Sequence, residues 1–492
     1  MNLISSRTPS VIATCILFAG LLTLWIYKFP LLQLPFFWDE GWSYAEAVWA
    51  MYNNHCCLLP ECLSPDLFRG HPLWFYFMNA AAAQVFGFSP FVLHAFSLSV
   101  TSAFVIAFFF ILKKFTNPVF ALLGTFLLLS QEAFIVQSSF MLPEVFIAMM
   151  TIIPIYFLHT GRNFLYFITA AILVFTKESG FVIICSVVLV TCILAINEYL
   201  RYDKKSIASI AGYLFMAGSP LFVGAAFYVY QKINYDWYFF PEHLHLIDLS
   251  AGSALSHAGL IADFIFTGYG RKALTAISIF ILLIVFLHLR RNWGSFSKDI
   301  LKVTGYLMAA FILYFLFSLF NYILLRYLMI LLVIFILILT LWSYQMHLLG
   351  YRFFHYILCG AIGLSLYHDI TFNPSWIDDV SLNYKDVIAV HKKAVNFMES
   401  RHAQLNKIFT IYEMRYNLTH PELFYLNGPP FVNVASDVEL KDYHDFSNTD
   451  YYIFSNLQLN QSNYEYVKSN PSVQLLEKYE CGKAWCEIYA RK

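Results

Sequence analysis

A chain of 492 residues that is 59% hydrophobic, with a mean hydropathy of +0.61 and only 13% charged residues, falls well below the roughly 25% charge of a soluble globular protein. Length alone would allow three soluble domains, but repeated apolar runs exclude them and predict a polytopic α-helical membrane protein. The formal net charge is zero and the basic residues come in short clusters, so no nucleic-acid partner is expected.

Taken in chain order, apolar runs near the ~20 residues needed to cross hydrocarbon predict eleven spans, at about 10–29, 91–112, 119–137, 144–159, 164–176, 180–197, 207–230, 272–289, 300–320, 323–344 and 353–368. The stretch PLWFYFMNAAAAQVFGF (72–88) is read as a helix lying at the interface or re-entering, because one more crossing would break the charge pattern. That pattern sets the orientation: lysine and arginine stay on the cytoplasmic side of short loops. Arg7, Lys113, Lys114, Arg162, Arg201, Lys204, Lys205, Arg290, Arg291, Lys298 and Arg352 fall on alternate connections, with Arg271 and Lys272 as exceptions. The N-terminus is thus expected in the cytoplasm and the residues after about 370 outside, in a bacterial inner membrane with a periplasmic domain. No small-residue cleavage site follows the first run, so a cleavable signal peptide is not expected.

Residues 1–370 therefore read as a membrane domain, with a long first outer loop at 30–90, and 371–492 as a small α/β domain outside the membrane. In the latter the patterns predict a helix (383–401), a strand (KIFTIY), a helix (PELFYL), strands FVNVA and YYIFS, a helix (461–469) and two final strands. CGKAWC joins the last two. Its Cys481 and Cys486 are expected to face each other across a hairpin and to form a disulfide in an oxidising compartment.

Ionisable residues collect at the outer ends of the spans. FFWDEGWSYAEAVWA sets Asp39 beside Glu40, and Trp38, Trp42, Ala45, Trp49 and Tyr52 recur at helical spacing, as suits the membrane surface. Asp39 could simply cap that helix. Further on, RGHPLWFYF carries Arg69 and His71, and QSSFMLPEVF carries Glu144 behind a proline. FTKESGF carries Lys177 and Glu178, and NYILLRYLM carries Arg326 and Tyr327. Each has a plain reading as a helix-start signal, a surface ion pair or a snorkelling side chain. Together they supply adjacent carboxylates, another acid and two cations, which suits transfer from a phosphate-linked lipid. Lys177 and Arg326 could bind the phosphate, and Asp39 could be the base for the incoming hydroxyl or amine. The expectation is that Asp39, Glu40, His71, Glu144, Lys177 and Arg326 converge on one cavity.

WDEGWSYAEA after the first span, HPLWFY, MLPEVF, TKESG and LLRYLM resemble the GT-C superfamily of membrane glycosyltransferases, and most nearly its protein O-mannosyltransferase and aminoarabinose-transferase branch. The likeness covers about residues 10–345. It implies transfer of a sugar from a polyprenyl- or dolichyl-phosphate donor to an acceptor at the non-cytoplasmic face, usually with inversion. It makes Asp39 the base or acceptor-orienting carboxylate and Glu40 its partner, and it puts His71, Glu144, Lys177 and Arg326 at substrate-binding positions. Many members have HPP where this chain has His71-Pro72-Leu73. Some use a divalent metal ion, and Asp39, Glu40 and Glu144 could hold one through oxygen ligands.

Cys56, Cys57 and Cys62 with His55 have enough ligands for zinc, but not a usual finger spacing; a loop disulfide with one thiol left over is expected instead. A transporter or flippase of a lipid-linked saccharide is the alternative function. It would call for charges deep within spans and for Gly- or Pro-broken helices in matching halves.

Overall fold

The computed structural model of the chain describes residues 8–54, 56–202, 207–289, 296–371, 378–437 and 449–492. His55 of the possible zinc set lies outside them, as do Arg7, Lys204, Lys205, Arg290 and Arg291 of the charge pattern. Each expected span falls on helix, except that 119–137 breaks at Ser130 and Gln131 into Pro118–Leu129 and Glu132–Gln137, and the helix starts follow from local chemistry. Asn117 caps the helix Pro118–Leu129 by accepting from the backbone N–H groups of Val119 and Phe120, with Pro118 at the first position. Pro143 opens the helix Pro143–His159 in the same way.

Among the described residues six helices are long and apolar enough to cross a membrane: Pro9–Leu31, Pro90–Phe115, Ser179–Asn197, Ile210–Tyr235, Lys298–Leu319 and Leu325–Leu348. A seventh crossing is possible if Ala251–Thr267 and Lys272–His288, bent by 88° at their junction, count as one span. The chain is a multi-pass membrane protein, and eleven crossings are more than length and composition support. Pro118–Leu129, Pro143–His159 and Asn163–Val174 are apolar but shorter; at 1.5 Å per residue they fall short of hydrocarbon ~30 Å thick. Trp74–Phe86, at 13 residues, is too short to cross for the same reason.

The chain divides into two compact units. One comprises Met1–Ile26, Leu58–Phe75 and Ser97–Phe372; the other comprises Tyr27–Cys57, Tyr76–Phe96 and Asn373–Lys492. The first is the helical bulk, packed around apolar side chains such as Val145, Ile183, Tyr306 and Leu331.

The second unit joins the start of the first loop to the C-terminal segment, which carries one five-stranded sheet. Its strands are β1 (Lys407–Thr410), β2 (Asn433–Ser436), β3 (Tyr451–Ser455), β4 (Val473–Cys481) and β5 (Ala484–Arg491), in the order β2-β1-β3-β5-β4. β1 pairs in parallel with β2 and β3, whereas β5 runs antiparallel to β3 and β4. The helix Tyr384–Ser400 buries Val387, Val390, Ala394, Val395 and Met398, the three- and four-residue spacing of a core-facing stripe.

Two expectations for this segment are corrected. KIFTIY is not all strand: β1 ends at Thr410 and a helix, Tyr412–Thr419, begins, while PELFYL forms only a short 3-10 turn at Pro421–Leu423. Cys481 and Cys486 are both free. The hairpin turns on two residues, Gly482 (φ 55°) and Lys483, so Cys481 lies opposite Ala484, and Cys486 opposite Tyr479. The tight turn thus puts the two thiols out of register, and Cys486 is buried. In the first loop Cys57 and Cys62 are disulfide-bonded, and Cys56 is free.

Candidate functional site

In the helical unit, Lys177 and Glu178 occupy the short turn between the helices Asn163–Val174 and Ser179–Tyr202. The turn is tight because residue 180 is glycine: a Cβ there would lie 2.4 Å from the Leu173 carbonyl oxygen. His71 follows two consecutive left-handed residues, Arg69 (φ 51°) and Gly70 (φ 76°), and a Cβ on Gly70 would press on Phe240. The Gly70 carbonyl accepts from Gln231 Nε2 at 3.1 Å, which fixes the approach to His71.

These turns deliver two ionic groups. Lys177 Nζ donates to Glu144 Oε1 at 2.9 Å, and Arg326 Nε lies 3.7 Å from the same oxygen. Tyr327 carries both cations on its ring, Lys177 at 4.1 Å and Arg326 at 5.0 Å from the centroid. Glu144 and Arg326 are buried, and Glu144 Oε2 has no hydrogen-bond partner among the described residues. Burial acts to lower the Lys177 pKa, but the Glu144 carboxylate and Tyr327 together outweigh it, so the ammonium is held above its ordinary value. In the second group, His71 Nδ1 is 2.9 Å from both oxygens of Glu178, and the His243 ring lies 5.0 Å from that of His71. Burial opposes ionisation of Glu178, yet His71, through charge and hydrogen bonds, pushes its pKa down to about 2. Burial first, and His71 second, push His243 down to about 3.

His71, Lys177, Glu178, His243 and Tyr327 all line one cavity of about 380 Å³, whose remaining wall includes Phe239, Phe240, Leu246 and Phe317. An ammonium and imidazoles beside an apolar wall suit an amphiphile with an anionic head. Arg326 is not among the lining residues; it stands behind Glu144, so Lys177 is the cation that faces the space.

In the other unit the two adjacent carboxylates point to different partners. Trp38 is left-handed (φ 51°), and the chain then enters a wide π-type turn, Glu40–Ala45, before the α-helix Glu46–Asn53. Such turns recur at functional sites. Asp39 makes no side-chain cap; instead its Oδ1 accepts from Trp42 Nε1 at 2.7 Å. Glu40 is fully buried, accepts from the Phe37 N–H at 3.2 Å and meets His94 Nε2 at 2.9 Å. His94 Nδ1 faces the Leu32 carbonyl at 3.0 Å, so the Glu40–His94 contact must contain a proton supplied by one of the two. Lys28, also fully buried, lies near enough to Glu40 to interact with it electrostatically. Beyond Asp39, the Trp38 N–H donates to Glu413 Oε1 at 3.1 Å. Burial above all, and then the Asp39 charge, raise Glu413 to about 8 against the Trp38 bond.

The aromatic stripe read from the sequence is also corrected. The π-type turn shifts the helical phase, so Trp42 packs on Tyr412 and Tyr416, and Trp49 on Tyr52 and Phe88, rather than along one membrane-facing line.

Among the described residues no three His, Cys, Asp or Glu side chains are placed to hold a metal ion. Of the possible ligand set, Asp39 and Glu40 belong to one compact unit and Glu144 to the other.

No protein-family model and no curated protein matches the sequence. Solved structures do match. ArnT from Cupriavidus metallidurans bound to undecaprenyl phosphate superposes with a TM-score of 0.56 at 12% identity, covering 96% of this chain and 97% of that one. Its apo structure gives 0.55 at the same identity and coverage. The fold is ArnT-like. At this identity the likeness speaks for fold alone. The S. cerevisiae protein O-mannosyltransferase Pmt1-Pmt2 complex bound to the sugar donor reaches only 0.36, over 48% of this chain and 34% of that one at 15% identity, too little to argue from.

The structure thus brings Glu144, Lys177, Arg326 and Tyr327 together and sets His71 on the same cavity wall as Lys177. Asp39 and Glu40 belong to the other compact unit. Sequence reading missed Lys28, His94, His243 and Glu413. Lys28 closes the first span like any snorkelling lysine, and His94 sits in an apolar helix with no neighbouring polar signal. Glu413 directly follows the KIFTIY stretch that reads as strand, where no element was expected.

Proposed function

We propose that this protein is a glycosyltransferase that moves a sugar from a polyprenyl-phosphate carrier to a hydroxyl or amine acceptor at the non-cytoplasmic face of a bacterial inner membrane. The observation that carries the reading is the cavity where Lys177, braced by Glu144 and Tyr327, meets an apolar wall. ArnT, whose fold is similar, has been captured with undecaprenyl phosphate.

In this reading the Lys177 ammonium takes the donor phosphate, and the apolar wall takes the first part of the lipid tail. The acceptor heteroatom attacks the anomeric carbon from the face opposite the phosphate. As that bond forms, the carbon–oxygen bond to the phosphate breaks and its electron pair leaves on the polyprenyl phosphate, whose growing charge Lys177 stabilises. The acceptor proton passes to Asp39, which Trp42 orients and whose neighbour Glu40 is occupied by His94. Single displacement of this kind inverts the anomeric centre. Glu144 serves this step indirectly, by holding the Lys177 ammonium in place through the 2.9 Å contact.

The test is incubation of the purified protein with a panel of radiolabelled undecaprenyl- and dolichyl-phosphate sugars and a membrane-lipid acceptor fraction. Transfer from one donor, lost in Asp39→Asn while undecaprenyl phosphate still binds, supports the proposal. Normal turnover in Asp39→Asn rejects Asp39 as the base, and no phosphate-lipid binding by the wild type rejects the donor class.

A further inference from the structure

The C-terminal segment has no role in the chemistry proposed above, yet it touches the Asp39 turn from both sides. We infer that the helix Tyr412–Thr419 is a positioning element for the Asp39 carboxylate, acting through Glu413 on the residue before it and through Trp42 on the residue that binds it. The inference rests on the reading of Asp39 as the base.

On the first side, Glu413 Oε1 accepts the Trp38 N–H at 3.1 Å. Trp38 has φ 51°, a conformation that a bulky residue holds only when its surroundings impose it. That bond holds the Phe37–Trp38 amide, one peptide before the one that leads into Asp39. Glu413 itself is buried, and its Oε2 has no hydrogen-bond partner among the described residues, so a carboxyl group has been removed from water and engages this one loop amide. On the second side, the Trp42 indole donates to Asp39 Oδ1 at 2.7 Å. Its ring meets Tyr412 edge-on at 5.4 Å and lies tilted over Tyr416 at 6.1 Å. The Tyr412 and Tyr416 hydroxyls are 3.3 Å apart, one turn along the same helix. Backbone and carboxylate of residue 39 are therefore both set from one short helix about 375 residues later in the chain.

The titratable groups whose charge bears on Glu413 are Asp39 in the turn and Tyr425 beyond the helix. Ionisation of Glu413, raised to about 8 chiefly by burial, would set a second negative charge against Asp39. The Trp42 indole N–H, bonded to Asp39, should report it.

The experiment uses the full chain in detergent, with amide hydrogen exchange of the 36–45 segment and the ¹⁵N–¹H resonance of the Trp42 indole, assigned by Trp42→Phe. Glu413→Ala should speed exchange of the segment about tenfold, the loss expected for one hydrogen bond, and should move the indole resonance. Glu413→Gln keeps an oxygen for the Trp38 N–H and should stay within about twofold of wild type. The wild-type resonance should shift with a midpoint near pH 8 and stay flat in Glu413→Gln. Should Glu413→Ala fail to fold, Tyr416→Leu tests the other arm, since it must move the indole resonance. An unmoved resonance in a folded Glu413→Ala or Tyr416→Leu overturns the inference, as does Glu413→Gln exchanging as fast as Glu413→Ala. Neither reading uses sugar transfer, so a chain that shows them but transfers nothing refutes the enzyme proposal and leaves the contact geometry standing.

Discussion

Glu413→Gln should make the protein more stable at alkaline pH. In the folded chain burial, with a further push from Asp39, raises this carboxyl from 4.5 to about 8, whereas the unfolded chain titrates it at the ordinary value. Between those two pH values the native state holds a proton that the unfolded state has released. The carboxyl is therefore best tolerated below about pH 4.5, and native stability is lost as the pH rises towards 8. At about 1.36 kcal/mol per pH unit the whole window is worth roughly 5 kcal/mol, of which about 3 kcal/mol falls between about pH 6 and about pH 9. Glutamine keeps the acceptor for Trp38 and does not titrate, so the stability difference between variant and wild type should grow by that ~3 kcal/mol across the same range. Thermal unfolding of the full chain in one detergent, followed by tryptophan fluorescence at several pH values, reads it as melting curves that separate with rising pH. Curves that stay parallel would mean that Glu413 is not the buried, singly bonded carboxyl described above.

Asp39→Asn should cut transfer by about 10²–10⁴, the range for loss of a general base, while equilibrium binding of undecaprenyl phosphate stays unchanged. Lys177→Gln should weaken undecaprenyl phosphate binding by about 10- to 100-fold, as expected for one charge-assisted hydrogen bond; unchanged affinity would place the phosphate elsewhere. His94→Ala leaves Glu40 buried beside Lys28 without its imidazole, and thermal unfolding should show a loss of about 3–5 kcal/mol, with His94→Gln recovering part of it. Non-reducing peptide mapping of denatured protein should find Cys57 and Cys62 blocked and Cys481 and Cys486 open to alkylation; a linked Cys481–Cys486 peptide would contradict the hairpin register.

The membrane class and the helix positions were legible because hydropathy is local: each run announces itself within some twenty residues, and Asn117-Pro118 or Pro143 marks its start. The Glu144, Lys177 and Arg326 group was legible for a related reason. Ionisable residues at the ends of apolar helices are costly to keep without partners, so their presence predicts one another. That logic does not rank the two cations: the turn closed by Gly180 sets Lys177 on the cavity wall, whereas Arg326 lies 3.7 Å from the same Glu144 oxygen without lining the cavity. The number of crossings is not confirmed, because hydropathy marks apolar runs whatever their helix length, and three of the apolar helices among the described residues are short of a full span.

The Asp39 turn shows where local signals end. Asp39 followed by a helical stretch is an N-cap pattern, and the sequence has no means of announcing that Trp42 will take the carboxylate instead. IFTIY has the β-branched and aromatic content of a strand, yet its last residue opens a helix because Tyr412 and Tyr416, four apart, can then flank one tryptophan ring. Helix and tryptophan lie some 370 residues apart, so neither segment carries a trace of the other. Two neighbouring carboxylates consequently acquire unlike surroundings, Glu40 buried against the His94 imidazole and near Lys28, and Asp39 bound by the Trp42 indole. If Asp39 is the base, the two positions are not interchangeable, and exchanging the two residues in an Asp39→Glu, Glu40→Asp double variant should abolish transfer although charge and composition are unchanged.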